Sequence, residues 1–272
     1  MILFARAGRL AFWLEQDPGA HPLACDVLDR RALRAELDGL LPGGDATLLL
    51  DGDGLARHLD EAGKAVQEFS VWAEVRLVRP RVVLLSSDCV YGILNPGVAL
   101  REQDAAGADE ASRAMLALEA ELDARAQRRG FGFAVARLFE LVDARAPSDR
   151  LIDLAGRVRE GRMKAVPELG ATRDYLDARD AARAVRALAG LSCSATVNVC
   201  SGRALSGHEL VRELVRLLRP ADEGALMAQV EPDGGKLIPW IVGNPARFAQ
   251  VVGGPAATTP FSETLQSACG LL

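Results

Sequence analysis

The segment Arg81-Val-Val-Leu-Leu-Ser-Ser-Asp-Cys-Val-Tyr-Gly92 opens as a Val/Leu run and stops abruptly at polar residues. An apolar run of this length, rich in β-branched residues and closed by a polar turn, predicts a buried strand over 81–86. On both sides of it strands and helices alternate. Met1–Ala5 reads as a strand followed by a helix over Gly8–Leu14, and Asp29–Leu40 reads as a helix with Leu33, Leu37 and Leu40 among its apolar positions. Ala46–Leu50 reads as a strand closed by a turn at Asp51-Gly-Asp-Gly54, and Leu55–Ser70 reads as helical. Ala108–Arg128 is the longest helical pattern, with Ala111, Met115, Leu118 and Leu122 on one face. Phe131–Leu138 returns as a strand. Asp180–Ala189, Ser206–Leu218 and Ser262–Ala268 read as helices, and Ala195–Val199 as a short strand. Ser206-Gly-His-Glu209 has capping-box spacing, which marks a helix start.

This alternation predicts an α/β protein: a Rossmann-like, doubly wound parallel sheet covered on both faces, with a small mixed C-terminal lobe. The division expected is residues 1–140 for the sheet domain and 141–272 mainly for the lobe, with 172–200 returning to the main sheet. Ligands of such sheets bind beyond the carboxyl ends of the strands, which is where Ser86–Tyr91 lies.

The chain has 272 residues, 25% of them charged, and a net charge of −5 without any block of like charges, which argues against nucleic acid as a partner. No apolar run approaches the roughly 20 residues that cross a bilayer, so no membrane association is expected. Cys25, Cys89, Cys193, Cys200 and Cys269 form no paired motif, and Met1–Ala5 runs at once into Arg6 and Arg9. Reduced thiols and a cytoplasmic location are the expectation. No metal site is expected, because His21, His58 and His208 stand at no ligand spacing from a cysteine.

Three segments carry a resemblance. Val83–Gly92, Arg173-Asp-Tyr-Leu-Asp-Ala-Arg-Asp180 and Val197-Asn-Val-Cys-Ser-Gly-Arg-Ala-Leu-Ser206 resemble landmarks of the extended short-chain dehydrogenase/reductases, the NAD-dependent epimerase/dehydratase family. Asn198–Ser206 with Glu209-Leu-Val, and Ala171–Ala182, look most like the branch of GDP-mannose 4,6-dehydratases and GDP-6-deoxy-4-ketohexose reductases. The resemblance implies NAD or NADP as cofactor and a nucleotide sugar as substrate. It also implies a helix carrying Tyr and Lys four residues apart, with Glu four further on. In that register the Tyr position is Ala111, the Lys position is Met115, and only Glu119 is retained. The Tyr would exchange a proton and the Lys would lower its pKa and hold the nicotinamide ribose, and neither Ala nor Met does this. Ser87 and Tyr91 are the residual catalytic candidates, with Asp88 beside them.

The cofactor side departs from the family in the same way. Of the glycine frame that lets a backbone approach a pyrophosphate, Ala5-Arg-Ala-Gly8-Arg-Leu-Ala11 keeps only Gly8, with Ala5 and Ala11 at the other two places. Asp26, in Cys25-Asp-Val-Leu-Asp29, falls in the stretch beside the adenine. Only Glu15–Ala24 precedes it, which leaves little room for the strand whose end reads the adenine ribose. Asp51 and Asp53 replace small residues along the cofactor, where they would repel a pyrophosphate. On the substrate side the candidates are Arg173, Arg179, Arg247 and Glu140, the last in place of the family's Asn in Arg137-Leu-Phe-Glu140. Two functions follow as expectations. One is a catalytically degenerate family member acting as a binding, regulatory or partner subunit, as a homodimer or beside a related active enzyme. The other is an active nucleotide-sugar reductase, epimerase or dehydratase with an atypical site. A dimer would form through the helices over 55–70 and 108–128.

Overall fold

The computed structural model describes residues 1–5, 8–41, 44–92, 97–145, 149–164, 166, 169–191, 193–231 and 239–270. In chain order its elements are β1 (Ile2–Phe4), α1 (Ala11–Glu15), β2 (Ala20–Pro22), α2 (Arg30–Asp38), β3 (Ala46–Asp51), α3 (Gly52–Leu55) and α4 (Leu59–Val75). Then come β4 (Pro80–Ser87), α5 (Glu110–Arg129), β5 (Gly132–Leu138), β6 (Glu140–Val142), α6 (Asp149–Glu160), β7 (Thr172–Arg173), β8 (Tyr175–Asp177) and α7 (Ala178–Ala189). The chain finishes with β9 (Ala195–Val199), β10 (Leu205–Ser206), α8 (Gly207–Leu218), α9 (Glu223–Met227), β11 (Trp240–Ile241), α10 (Ala246–Val252) and α11 (Phe261–Ala268).

Six strands form a parallel sheet in the order β2-β1-β3-β4-β5-β9. The Val/Leu run explains the two covered faces. Val82 and Leu84 join the core under α2, α4 and α5, while Val83 and Leu85 join the core under α1 and α7. A strand buried on both faces has no polar side to alternate with. A third apolar cluster, built on α6, α8 and their neighbours, forms the C-terminal lobe. There β7 pairs with β10 and β11, and β6 pairs with β8. No helix among the described residues is long and apolar enough to cross a membrane.

Helix starts follow local chemistry. The Asp29 carboxylate accepts from the Arg31 and Ala32 amides at the head of α2, Asp109 and Ser112 cap α5 reciprocally, and Ser206 with Glu209 does the same for α8. Gly130, at φ +72°, ends α5 in the left-handed conformation.

Three sequence expectations need correction. Asp51–Gly54 is a helical turn rather than a loop, because the Asp51 carboxylate accepts from the Asp53 amide at 3.2 Å and starts α3. The next helix therefore begins at Leu59 rather than Leu55, and it runs on to Val75 because Trp72 and Ala73 continue its buried face. The third is α6, whose amphipathic pattern was not read from the sequence.

Candidate functional site

The carboxyl ends of β4 and β5 meet the middle of α5, and the side chains there form a closed polar network. Glu119 of α5 is the hub. Ser86 donates to its Oε1 at 2.6 Å, and Arg137 donates through Nε at 3.1 Å and through Nη2 to Oε2 at 2.7 Å. Arg137 Nη1 also donates to the Tyr91 hydroxyl at 3.2 Å and to the Glu102 carbonyl at 2.7 Å. The Tyr91 hydroxyl donates to Asn198 Oδ1, and Asn198 in turn donates to the Leu100 carbonyl at 2.8 Å. All of these side chains but Glu102 belong to buried residues. A buried bidentate carboxylate–guanidinium pair with its remaining valences satisfied locks its elements together. Here it joins α5 to β4, β5 and β9.

Tyr91 is 0% exposed, its hydroxyl is committed to Asn198, and burial pushes its pKa up to about 12. It therefore sits in the core as part of this network. Ser87 is partly exposed and accepts from the Cys89 amide at 3.4 Å, capping the short turn Asp88–Tyr91.

The outer layer of the cleft is acidic. Burial pushes Asp88 up to about 7, and repulsion from Glu140, Asp174 and Asp53 adds to this while Arg173 opposes it. Asp51 is raised to about 6 by burial and by Asp53. The Asp51 carboxylate also faces the first turn of the chain: a Cβ on Gly8, which has φ +51°, would lie 3.5 Å from Asp51 Oδ2. On α5, Ala111 is exposed and Met115 is 2% exposed. The Met115 sulfur lies 2.8 Å from where a Gly52 Cβ would stand, so the thioether packs over the start of α3.

A protein-family model matches residues 17–200, under the description NAD dependent epimerase/dehydratase family. The chain belongs to that family. Among solved structures it is similar to a putative epimerase from Burkholderia cenocepacia J2315, at 22% identity and TM-score 0.75, covering 99% of this chain and 96% of the other. It is also similar to UDP-glucose 4-epimerase from Thermotoga maritima with UDP-glucose, at 13% identity and TM-score 0.73, covering 100% and 98%. RMD from Pseudomonas aeruginosa complexed with NADPH gives 19% identity and TM-score 0.71, covering 99% and 98%. At these identities the likeness is one of fold. No curated protein sequence matches the chain.

The residues expected on the cofactor side, Ala5, Gly8, Ala11 and Asp26, lie between the end of β1 and the start of α2. The interval before Asp26 forms one three-residue strand, β2, paired directly with β1. It ends at Pro22, with Leu23 and Ala24 following, so no charged residue stands there to read a ribose. Just beyond, the Ala24 and Cys25 amides donate to Glu36 at 2.7 and 3.0 Å. Asp26 accepts from the Leu28 amide at 3.0 Å in a local turn. Ala5 is buried at the end of β1, and Ala11 opens a helix of only five residues. The turn's Arg6 and Ala7 lie outside the described residues. Gly8 stands beside the Asp51 carboxylate, and Met115 packs over Gly52.

Of the substrate-side candidates, Glu140 and Arg173 come together beside Asp88, whereas Arg179 and Arg247 are engaged elsewhere. Arg179 is bound bidentately to Asp177, at 2.9 and 2.8 Å, and lies 3.3 Å from Glu263. Arg173 sits on β7 near Asp88. Arg247 is exposed and lines a cavity of about 640 Å³ with Arg101, Asn244 and Gln250, to which neither Arg173 nor Arg179 contributes. Glu140 begins β6, in register with Tyr175.

The acids of Arg173–Asp180 are scaffold. Asp174 accepts from the Ser201, Gly202 and Gly243 amides, Asp177 caps α7, and Asp180 accepts from the Thr258 and Thr259 amides. Sequence reasoning missed the roles of Arg137, Asn198 and Glu119. The available signal was a charged residue within an apolar pattern, Arg137 in Ala134-Val-Ala-Arg-Leu138 and Glu119 beside Leu118 and Leu122. Such residues are buried only when paired.

Proposed function

We propose that this chain is a catalytically degenerate member of the NAD dependent epimerase/dehydratase family that acts as a binding, regulatory or partner subunit. The observation that carries this reading is Met115, packed over Gly52 where the family places the lysine that holds the nicotinamide ribose. Asp51 beside Gly8 and the lack of a charged residue over Pro22–Ala24 at the end of β2 support it independently. Within the family we place the chain near the branch that acts on GDP-sugars, because Asn198–Ser206 and Ala171–Ala182 read most like that branch. A nucleotide sugar is then the ligand class to test.

Calorimetric titration with NAD(H), NADP(H) and GDP-, dTDP- and UDP-sugars tests the proposal. The expected result is no saturable nicotinamide binding. Dissociation constants in the micromolar range for NAD(H) or NADP(H), about −8 kcal/mol, would overturn it.

A second reading has one observation in its favour. Asp88, raised to about 7 at the end of β4, is suited to donate a proton near neutral pH in an active enzyme with an atypical site. Nicotinamide binding together with turnover abolished in Asp88→Asn would select this reading. We further propose pairing of subunits through α4 and α5, which already approach closely where Arg125 lies over Gly63. Sedimentation showing a monomer at micromolar concentration, both alone and mixed with a related active enzyme, would exclude that assembly.

A further inference from the structure

At the opposite end of the sheet, where the strands begin, lies a cavity of about 480 Å³ whose lining includes Arg79, Arg81, Arg186 and Gly132. Arg81 is the second residue of β4, and its residue is only 6% exposed. Its guanidinium lies flat on Gly132, where a Cβ would stand 2.8 Å from Nη2 and 3.0 Å from Cζ. Nη2 donates to the Cys193 carbonyl at 3.1 Å, whereas Nη1 is buried with no hydrogen-bond partner. Among the described residues no carboxylate pairs with it, and burial pushes its pKa down. A buried guanidinium without a counter-charge is costly, and an orphaned N–H on it calls for a partner.

Two further arginines stand on the wall of the same cavity. Arg79 is exposed on the same wall and makes no ion pair among the described residues. Arg186, on α7, donates to the Trp13 carbonyl at 3.0 Å and stands 3.7 Å from Asp17. Asp45 is the one acid in the described lining. A chain of net charge −5 thus concentrates three arginines around one cavity. Guanidinium forks match the oxygens of phosphate groups, and the volume falls within the roughly 300–1,000 Å³ typical of small-molecule pockets.

We propose that this cavity binds a small phosphate-bearing anion, held by Arg79, Arg81 and Arg186. The site lies at the amino ends of the strands, away from the cleft, so it stands or falls independently of the proposed function.

Thermal-shift and calorimetric titrations with inorganic pyrophosphate, inorganic phosphate and citrate, at constant ionic strength, test it. Pyrophosphate should bind saturably and more tightly than citrate. Arg79→Gln, a surface change that leaves the core intact, should weaken binding roughly tenfold, the loss of one charged hydrogen bond. Arg81→Lys, which keeps the charge and loses the fork, should also weaken it, and Arg113→Gln, exposed at the opposite end of α5, should not. The site is overturned by no saturable binding up to about 10 mM, the edge of useful affinity, or by equal binding in the Arg79→Gln and Arg81→Lys variants. Citrate binding as tightly as pyrophosphate would overturn the phosphate assignment.

Discussion

Removing the Glu119 carboxylate should be among the most damaging single changes in this chain. Glu119→Ala deletes the acceptor of three hydrogen bonds, from Ser86 Oγ at 2.6 Å and from Arg137 Nε and Nη2 at 3.1 and 2.7 Å. It leaves a guanidinium that is 5% exposed without its counter-charge. Breaking a buried pair in this way costs about 3–5 kcal/mol. For a chain of this size each kcal/mol lowers the melting temperature by about 2–4 °C, so a fall of roughly 6–20 °C is expected. Arg137→Met should cost a similar amount, because it strands the carboxylate instead. The double variant Glu119→Ala/Arg137→Met buries no uncompensated charge. It should recover at least about 2 kcal/mol relative to the sum of the single changes. Urea denaturation of all four proteins, followed by tryptophan fluorescence and circular dichroism, reads the cycle. A Glu119→Ala cost below about 1 kcal/mol, the range of an exposed pair, or strict additivity in the cycle, would refute the argument that this network locks α5 to the sheet.

Tyr91→Phe should cost about 1–3 kcal/mol by leaving Asn198 Oδ1 and one Arg137 N–H short of a partner; an unchanged urea midpoint would contradict the network. Gly52→Ala should destabilise by roughly 1–3 kcal/mol, since the new methyl would stand 2.6 Å from the Leu85 carbonyl and 2.8 Å from the Met115 sulfur. Thermal denaturation of that variant checks it. Asp51 and Asp88 have folded-state pKa values raised to about 6 and about 7. Between their ordinary pKa near 4 and those raised values the folded state binds more protons than the unfolded one, so their contribution to stability falls as pH rises through about 4–7. Asp88→Asn should flatten that part of the melting-temperature profile. A profile identical to the parent's would show that Asp88 does not titrate in that window.

Much of the fold was legible because its signals are local. The unbroken Val82–Leu85 run, the alternation of strand and helix around it, and the Ser206–Glu209 capping box each report their own surroundings. By sequence the interval before Asp26 leaves little room for a strand, yet β2 forms there and pairs directly with β1. Asp51 was read as a turn residue because Asp-Gly-Asp-Gly favours turns; its place as a cap facing Gly8 depended on how β3 ends against β1.

What the sequence alone determined is the layered α/β architecture, because burial periodicity is a property of short segments. What only the tertiary structure decided is the use made of the polar residues that remain. Glu119 finds Arg137 18 residues away, Tyr91 finds Asn198 107 away, and Arg81 finds the Cys193 carbonyl 112 away. Composition shows that a buried charge must have a partner, and only the packing of β4, β5, β9 and α5 shows which one it has. The same packing leaves Nη1 of Arg81 with none.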